Sequence, residues 1–130
     1  MAHVSYSEVK LWHECPHKHK LQYIDKIDGF KGNLHTAFGT AIHSVCEHGL
    51  LNENLDRGEH FLEEFAKEIK SLEEKEVEIE HDLYHKMLEQ YGPIVDSFRD
   101  ELDNYFENCE VVSTEEKLYE DIEGHDLKFK

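Results

Sequence analysis

The sequence lacks the features that define several protein classes. No apolar run approaches the roughly 18 residues of a membrane span, and the start MAHVSYSEVKLWHE is polar and acidic, unlike a secretory signal. We therefore expect no membrane association and a cytoplasmic location, the host cytoplasm if the source is a phage or other virus. The cysteines Cys15, Cys46 and Cys109 are odd in number and form no CxxC pair, which argues against a disulfide framework or a zinc knuckle.

Basic residues are also scarce, and they are unevenly placed. The chain has 14 Lys and Arg against 30 Asp and Glu, a formal net charge of −16. Residues 1–49 balance five Lys with five acids and hold seven of the 11 His, so the entire acidic excess lies in residues 50–130. We interpret the acids as a solvated helical surface. Only the first part is then suited to face phosphates, and tight nonspecific DNA binding is not expected.

Hydrophobic periodicity predicts an α+β chain of about five helices followed by an antiparallel β-hairpin. We expect a single domain part, helical over 5–107 with a hairpin over 109–130. Ser5 and Glu8 have the spacing of a capping box. The predicted helices span about 6–13, 16–25, 35–51, 58–75 and 80–107, and the predicted strands span 112–122 and 127–130.

Several packing expectations follow from the pattern. Val9, Trp12, Leu21 and Ile24 should point inward on the first two helices. Gly92-Pro93 should kink or split the last helix, and the final strand should be an exposed edge covered by self-association of the chain.

Gly39 and His43 carry the sharpest local signal. Gly39 lies inside a predicted helix, where glycine costs about 1 kcal/mol relative to alanine, which suggests close approach by another element. His43 and Glu47 are four residues apart and share a helix face. They could bind a divalent metal together, or Glu47 could orient His43. The ordinary alternative is a half-buried helical His43 paired with Glu47.

The order of motifs resembles a known nuclease family. Three segments resemble RecB-type and CRISPR-associated RecB-like exonucleases of the PD-(D/E)XK superfamily. The family's entry segment resembles SYSEVKLWHECPHKHKLQYIDKI, and its Gly-x-x-x-His helix resembles the helix from Gly39 to His43. Its first strands resemble STEEKLYEDIEGHDLKFK. The resemblance covers nearly the whole chain and about the first half of that domain. The chain would then be the N-terminal portion of a DNA exonuclease, as in DNA repair.

The resemblance also implies site residues. It implies that His43 is a metal ligand and that Glu115 or Glu116 is an accessory acid. It also implies Mg²⁺ or Mn²⁺ as the cofactor. The family's Gly-x-(Ile/Val)-Asp, and the (Asp/Glu)-x-Lys that follows it, are not in this sequence. We therefore expect the chain to be inactive alone and to need a C-terminal half or partner chain that completes the site.

Further roles follow for the first 30 residues. Lys10, Lys18, Lys20 and Tyr23 are candidate DNA contacts, with DNA binding weak or absent for this chain alone; a solvated face is the alternative. Cys15 matches the first of four iron–sulfur ligands in some relatives, but the other three are missing. An iron–sulfur cluster is therefore disfavoured, and Cys15 is interpreted as a helix N-cap.

Two competing functions remain open. One is a metal-binding helical bundle, because Glu14-x-x-His17 and Glu78-x-x-His81 match the Glu-x-x-His string of di-iron proteins. The other is a non-catalytic interaction module, or a subunit of a split nuclease. Iron incorporation would favour the bundle, whereas restoration of cleavage by a second chain would favour the split enzyme.

Overall fold

The computed structural model describes residues 2–27 and 29–130, and it confirms a mostly helical α+β chain. In chain order the elements are β1 (His3–Val4), α1 (Tyr6–Glu14), α2 (Pro16–His19), a π-helical segment (Lys20–Ile24), α3 (Leu34–Leu51), α4 (Arg57–Glu74), α5 (His81–Tyr105), β2 (Glu120–Asp121) and β3 (Lys128–Phe129). They form two compact units. Unit 1 is Met1–Phe30 with Glu116–Lys130, and unit 2 is Lys31–Glu115.

The helices begin where the sequence supplies caps. Asn33 and Thr36 form a reciprocal capping box at the start of α3, each side chain bonded to the other's backbone N–H at 2.9 Å. Asp56 caps α4 by accepting from the Glu59 N–H. Ser5 caps α1 by accepting from the Glu8 N–H at 3.2 Å. The Glu8 carboxylate bonds to His19 instead, so only half of the predicted capping box forms.

The core of unit 2 lies between α3, α4 and α5. On α3 the buried positions recur at intervals of three and four residues, the spacing of one face of a helix. Alanine at two of these positions leaves room for the large rings of α4. The fully or almost fully buried apolar residues are Leu34, Ala37, Ala41, Val45, Phe61, Phe65, Leu72, Met87 and Val95.

Aromatic rings join the three helices of unit 2. The Phe61 ring stacks on Tyr91 at 4.4 Å between centroids and on Phe65 at 5.3 Å, and Phe65 stacks on Tyr84 at 5.6 Å. Offset stacking of this kind adds about 0.5–1.5 kcal/mol per pair beyond the area buried. Unit 2 is thus the part of the chain that carries its own hydrophobic core.

The last helix is not split. α5 runs without interruption from His81 to Tyr105 with Pro93 inside it, so the predicted split at Gly92-Pro93 is wrong, whereas the predicted kink stays a prediction. Packing against α3 and α4 holds the residues on both sides of the proline in one helix. The Glu89 carbonyl, four residues before Pro93, has no proline N–H to accept from.

The prediction for the Gly39 environment is also wrong. A Cβ built on Gly39 would meet nothing within 4 Å among the described residues. Close approach occurs ten residues later on the same helix. A Cβ on Gly49 would lie 3.1 Å from the Phe98 Cζ, and the Phe98 ring is covered by the Arg57 guanidinium at 4.8 Å.

Unit 1 has little buried surface. Neither α1, α2 nor the π-helical segment contains a fully buried residue among those described. The predicted inward positions Val9, Trp12 and Ile24 are 45%, 56% and 65% exposed, so that prediction is wrong for them; Leu21 is half-buried. Two short helices and two-residue strands offer too little surface to cover these side chains.

The strands of unit 1 are shorter than predicted and differently ordered. The segment 112–122 is irregular until Glu120, and β2 and β3 form the expected antiparallel pair over only two residues each. β1 pairs with β3 in parallel, His3 with Lys128 and Val4 with Phe129, giving the order β1-β3-β2. The final strand is therefore central and not the predicted edge. Self-association of the chain stays a prediction.

Within residues 2–27 and 29–130, no helix combines the length and the apolar character needed to cross a membrane.

Candidate metal centre

His43 lies on the exposed face of α3. Ala41 and Val45 on the same helix point into the core, so positions 39, 43 and 47 face outward. The His43 side chain is 62% exposed, and its Nε2 lies 3.0 Å from Oε1 of Glu115. The prediction that His43 is half-buried and paired with Glu47 is therefore wrong.

Glu115 reaches His43 through an unusual backbone conformation. Its φ is +50°, in the left-handed region that glutamate rarely adopts. The adjacent Thr114 Oγ1 is buried and has no hydrogen-bond partner among the described residues. A left-handed non-glycine residue and a buried unpaired hydroxyl each cost on the order of 1–3 kcal/mol. Strain of this kind clusters at functional sites, and here it accompanies the carboxylate placed against His43.

The other predicted acids are placed differently. Within the described residues, the Glu47 carboxylate makes no hydrogen bond or ion pair. Its role as a metal ligand stays a prediction. Glu116 belongs to unit 1. Of the two adjacent acids left open by the sequence, Glu115 is the one in contact with His43.

The chemistry of this pair fits two neighbouring ligands of a small divalent ion. Ligands at adjacent corners of an octahedron with bonds of about 2.1 Å lie about 3.0 Å apart, the same as the observed nitrogen–oxygen distance of 3.0 Å. That distance is also an ordinary hydrogen bond, so an ion would take the place of the shared proton. No cluster of three or more His, Cys, Asp or Glu suited to a metal occurs in the described part of the chain. The pair could therefore supply only part of a coordination shell.

The candidate DNA contacts differ in their environments. Lys10 pairs with Glu14 at 3.9 Å, and Lys20 pairs with Asp25 at 2.8 Å. Lys18 lines a surface cavity of unit 1. The half-buried Tyr23 stacks on His19 at 5.3 Å. None of these contacts tests DNA binding, which stays a prediction.

One titratable pair was missed in the sequence. His19 Nε2 lies 3.0 Å from Glu8 Oε1, and the two side chains are only 14% and 21% exposed. The pair ties α1 to α2 beside a small groove that also includes Trp12. The two residues are 11 positions apart on different helices, so the spacing within one helix could not predict the contact.

A second missed cluster lies between α3 and α4. The Ser44 hydroxyl is 2.9 Å from His60 Nε2, and His48 Nδ1 lies 2.8 Å from the Ser44 carbonyl, to which it donates. The His48 and His60 rings are 4.9 Å apart. The only sequence signal was a Ser and a His at helical spacing. Glu64 nearby is bound to Lys67, whose hydrogen bond lowers the pKa of that carboxyl.

The cysteines do not form a site. The Cys15 Sγ accepts from the Lys18 N–H at 3.5 Å and caps α2, which confirms the N-cap interpretation. Burial raises the pKa of the Cys46 thiol, and the nearby Arg57 partly offsets this. All three thiols are free.

The strings behind the bundle alternative do not form helical pairs. Pro16 and the α1–α2 boundary separate Glu14 from His17, and Glu78 precedes the helix that His81 begins. A di-iron bundle needs each Glu-x-x-His on one helical face. The helical-bundle interpretation therefore has no support from the fold.

Comparison with known proteins agrees with the motifs. The family profile described as the PD-(D/E)XK nuclease superfamily matches residues 3–125, nearly the full chain. No curated protein and no solved structure matches this chain. Nucleases of this superfamily generally use divalent metal ions, which agrees with the ligand types that meet at His43 and Glu115. The chain belongs to the PD-(D/E)XK nuclease superfamily.

Proposed function

We propose that this chain forms the His43 side of the metal site of a DNA exonuclease of the RecB type. The observation that carries the proposal is the 3.0 Å contact between His43 Nε2 and Glu115 Oε1. It joins the residue of the Gly-x-x-x-His helix with a glutamate that lies 72 residues later in the sequence. The motif order supports the RecB type, and the oxygen and nitrogen ligands favour Mg²⁺ or Mn²⁺.

The two side chains have distinct tasks in this site. His43 presents an imidazole nitrogen that becomes a donor when it gives up its proton, and α3 fixes its position. Glu115 supplies negative charge and an oxygen donor, and its left-handed backbone directs it to His43. A bound Mg²⁺ or Mn²⁺ would polarise a phosphoryl oxygen and make water a better nucleophile. Glu47, one helical turn beyond His43 on the same helix, is the proposed further metal ligand.

The proposed site needs further groups. Hard divalent ions take about six oxygen-rich ligands, and the resemblance assigns the other carboxylates and a lysine to Gly-x-(Ile/Val)-Asp and (Asp/Glu)-x-Lys. The 130 residues contain no Gly-x-(Ile/Val)-Asp, and so no (Asp/Glu)-x-Lys that follows one. We therefore propose that a segment carrying them, on the same or a second polypeptide, completes the site and that this chain alone is inactive.

Metal binding is tested first without relying on activity. Mn²⁺ titrated into the ¹⁵N-labelled chain should broaden the His43 ring signals by paramagnetic relaxation. His43→Ala and Glu115→Gln should abolish local broadening. His35→Ala, on the exposed face of the same helix, and Glu110→Gln are the matched controls. Broadening that spreads over the acidic surface and ignores both site variants would refute the metal site.

Cleavage is tested by complementation. A second polypeptide carrying the two missing motifs, added with Mn²⁺ and an end-labelled DNA duplex or single strand, should restore stepwise digestion. His43→Ala in this chain should remove that activity, while His35→Ala should retain it. Restored cleavage that survives His43→Ala would show that the pair takes no part in the reaction.

An interaction module is the second candidate, favoured by one observation. Tyr6, Trp12, Ile24 and Phe30 of unit 1 are all more than half exposed. Large exposed apolar side chains often mark a binding surface when they form one patch. If complementation gives a stable complex but no cleavage with any divalent ion, the module becomes the better description.

A further inference from the structure

A surface cavity of about 460 Å³ lies wholly within unit 1. Its volume is within the range of small-ligand sites, roughly 300–1,000 Å³. The lining combines two cations, an amide and three apolar side chains: Lys18, Lys26, Gln22, Leu21, Ile27 and Phe30. Apart from Lys18, a candidate DNA contact, and Phe30, one of the exposed apolar residues behind the second candidate function, these residues have no part in the functions considered above.

No described neighbour neutralises the two cations at the cavity. Neither Lys18 nor Lys26 forms an ion pair among the described residues, whereas the nearby Lys20 is bound to Asp25. Lys26 also has a φ of +52°, a left-handed conformation that costs a non-glycine residue about 1 kcal/mol or more. Two unpaired ammonium groups beside one cavity favour an anionic ligand.

The apolar lining adds a second requirement. Phe30 and Ile27 are 62% and 58% exposed, so the cavity presents an aromatic ring and an aliphatic side chain to solvent. A simple anion such as phosphate would use the lysines and leave both side chains uncovered. Aromatic rings beside basic groups are how proteins hold single-stranded nucleic acid, with a base on the ring and phosphates on the cations.

Charge distribution agrees with this placement. Unit 1 has seven Lys against nine Asp and Glu, whereas unit 2 has seven Lys and Arg against 21 Asp and Glu. A polyanion approaching the chain is therefore repelled least at unit 1.

We propose that this cavity binds single-stranded DNA, with one base stacked on Phe30 and the flanking phosphates held by Lys18 and Lys26. The Gln22 amide is placed to bond to a base edge. The proposal deepens the proposed nuclease function, on which its choice of ligand rests, by adding a strand-holding subsite. Because the cavity contains neither His43 nor Glu115, its binding is independent of the metal.

The test is an NMR titration of the ¹⁵N-labelled full chain with the oligonucleotide dT6, with EDTA present throughout. EDTA separates the two proposals, because loss of the metal site cannot abolish binding that is measured without metal. We expect shifts concentrated in residues 18–30, with weak, salt-dependent affinity. Lys18→Gln and Lys26→Gln should each flatten the plot of log affinity against log salt by about 0.7. Lys117→Gln, the same charge change elsewhere in unit 1, should not flatten it.

The aromatic contact is tested by two substitutions. Phe30→Leu keeps an apolar side chain but removes the stacking face, and Phe30→Tyr keeps the face. We expect a loss of about 5–150-fold for leucine, which corresponds to 1–3 kcal/mol per stacked base, and near-normal binding for tyrosine. The backbone spectrum of each variant reports whether the fold is intact.

Three results would each overturn the proposal. The first is the absence of shifts in residues 18–30 at millimolar dT6, and the second is equal dT6 binding by Phe30→Leu and by the unsubstituted chain. The third is an affinity for a hexaglutamate peptide equal to the affinity for dT6. The last would identify an unselective anion site or a site for acidic protein segments.

Discussion

The clearest quantitative expectation concerns two glycines on α3 with opposite surroundings. Gly39 is exposed, and a Cβ there would meet nothing within 4 Å among the described residues. Gly49 is buried, and a Cβ there would lie 3.1 Å from Phe98 Cζ and 3.3 Å from Phe98 Cε1. Neither glycine has a positive φ. Alanine at the two positions therefore differs only in what its methyl group contacts.

The magnitudes follow from this difference. Gly39→Ala should raise the free energy of unfolding by about 1 kcal/mol, the helix preference for alanine over glycine. Gly49→Ala gains the same preference but forces the Phe98 ring away from Arg57, and overpacking of this kind costs about 1–3 kcal/mol. We expect a net loss of up to about 2 kcal/mol. For a domain of this size, 1 kcal/mol shifts Tm by about 4 °C.

Urea unfolding followed by circular dichroism measures both variants. Ala66→Gly, the reverse change at an exposed position inside α4, is the matched control and should lower the free energy of unfolding by about 1 kcal/mol. Destabilisation by Gly39→Ala alongside this expected loss for Ala66→Gly would refute the reasoning. It would mean that another part of the molecule packs on Gly39. If Gly39→Ala stabilises the chain but abolishes DNA cleavage by the complemented enzyme, the close contact at Gly39 is made by the DNA substrate instead.

Three further outcomes are expected. Phe65→Ala should lower the free energy of unfolding in urea by about 3–5 kcal/mol, because the side chain is 1% exposed. The control Phe106→Ala, at a site that is 52% exposed, should lower it by less than about 0.5 kcal/mol. Equal losses would contradict the assigned core. Pro93→Ala should stabilise the chain by about 2 kcal/mol by restoring a helical N–H, and a loss of stability would show that the proline shapes α5. Ellman's reagent at pH 8 should modify exposed Cys15 before Cys46, whose pKa is raised by burial. Modification of Cys46 before Cys15 in the native chain would contradict the burial of Cys46. The part of the free energy of unfolding that comes from the Cys46 thiol should be complete below pH 9 and should decline as the pH rises towards its folded pKa.

The helices were predictable because their signals are local. The apolar spacing on α3 and α4 and the cap residues Asn33 and Asp56 report the fold of adjacent residues. The same signal misleads in unit 1. Val9 and Trp12 have helical spacing whether or not another element covers them, so periodicity gave the helix correctly and the burial wrongly.

The sheet and half of the site depend on contacts between distant residues. Pairing of His3 with Lys128 cannot be inferred from either segment, so β1 and the central position of β3 were missed. His43 was found from its helix and from the resemblance to known nucleases. The choice between Glu115 and Glu116 depended on an irregular turn with φ of +50°, for which the sequence has no glycine or proline signal.

The strand order has a consequence for how the chain is made. β3 needs β1 from the first residues and β2 from the last, so unit 1 is assembled from both ends of the described chain while unit 2 is one continuous segment between them. On the ribosome, unit 2 emerges complete while β1 still lacks its partner. Folding is then ordered in time. The contact between His43 and Glu115 in unit 2 can form during synthesis, whereas the sheet that closes unit 1 must wait until Phe129 has been added.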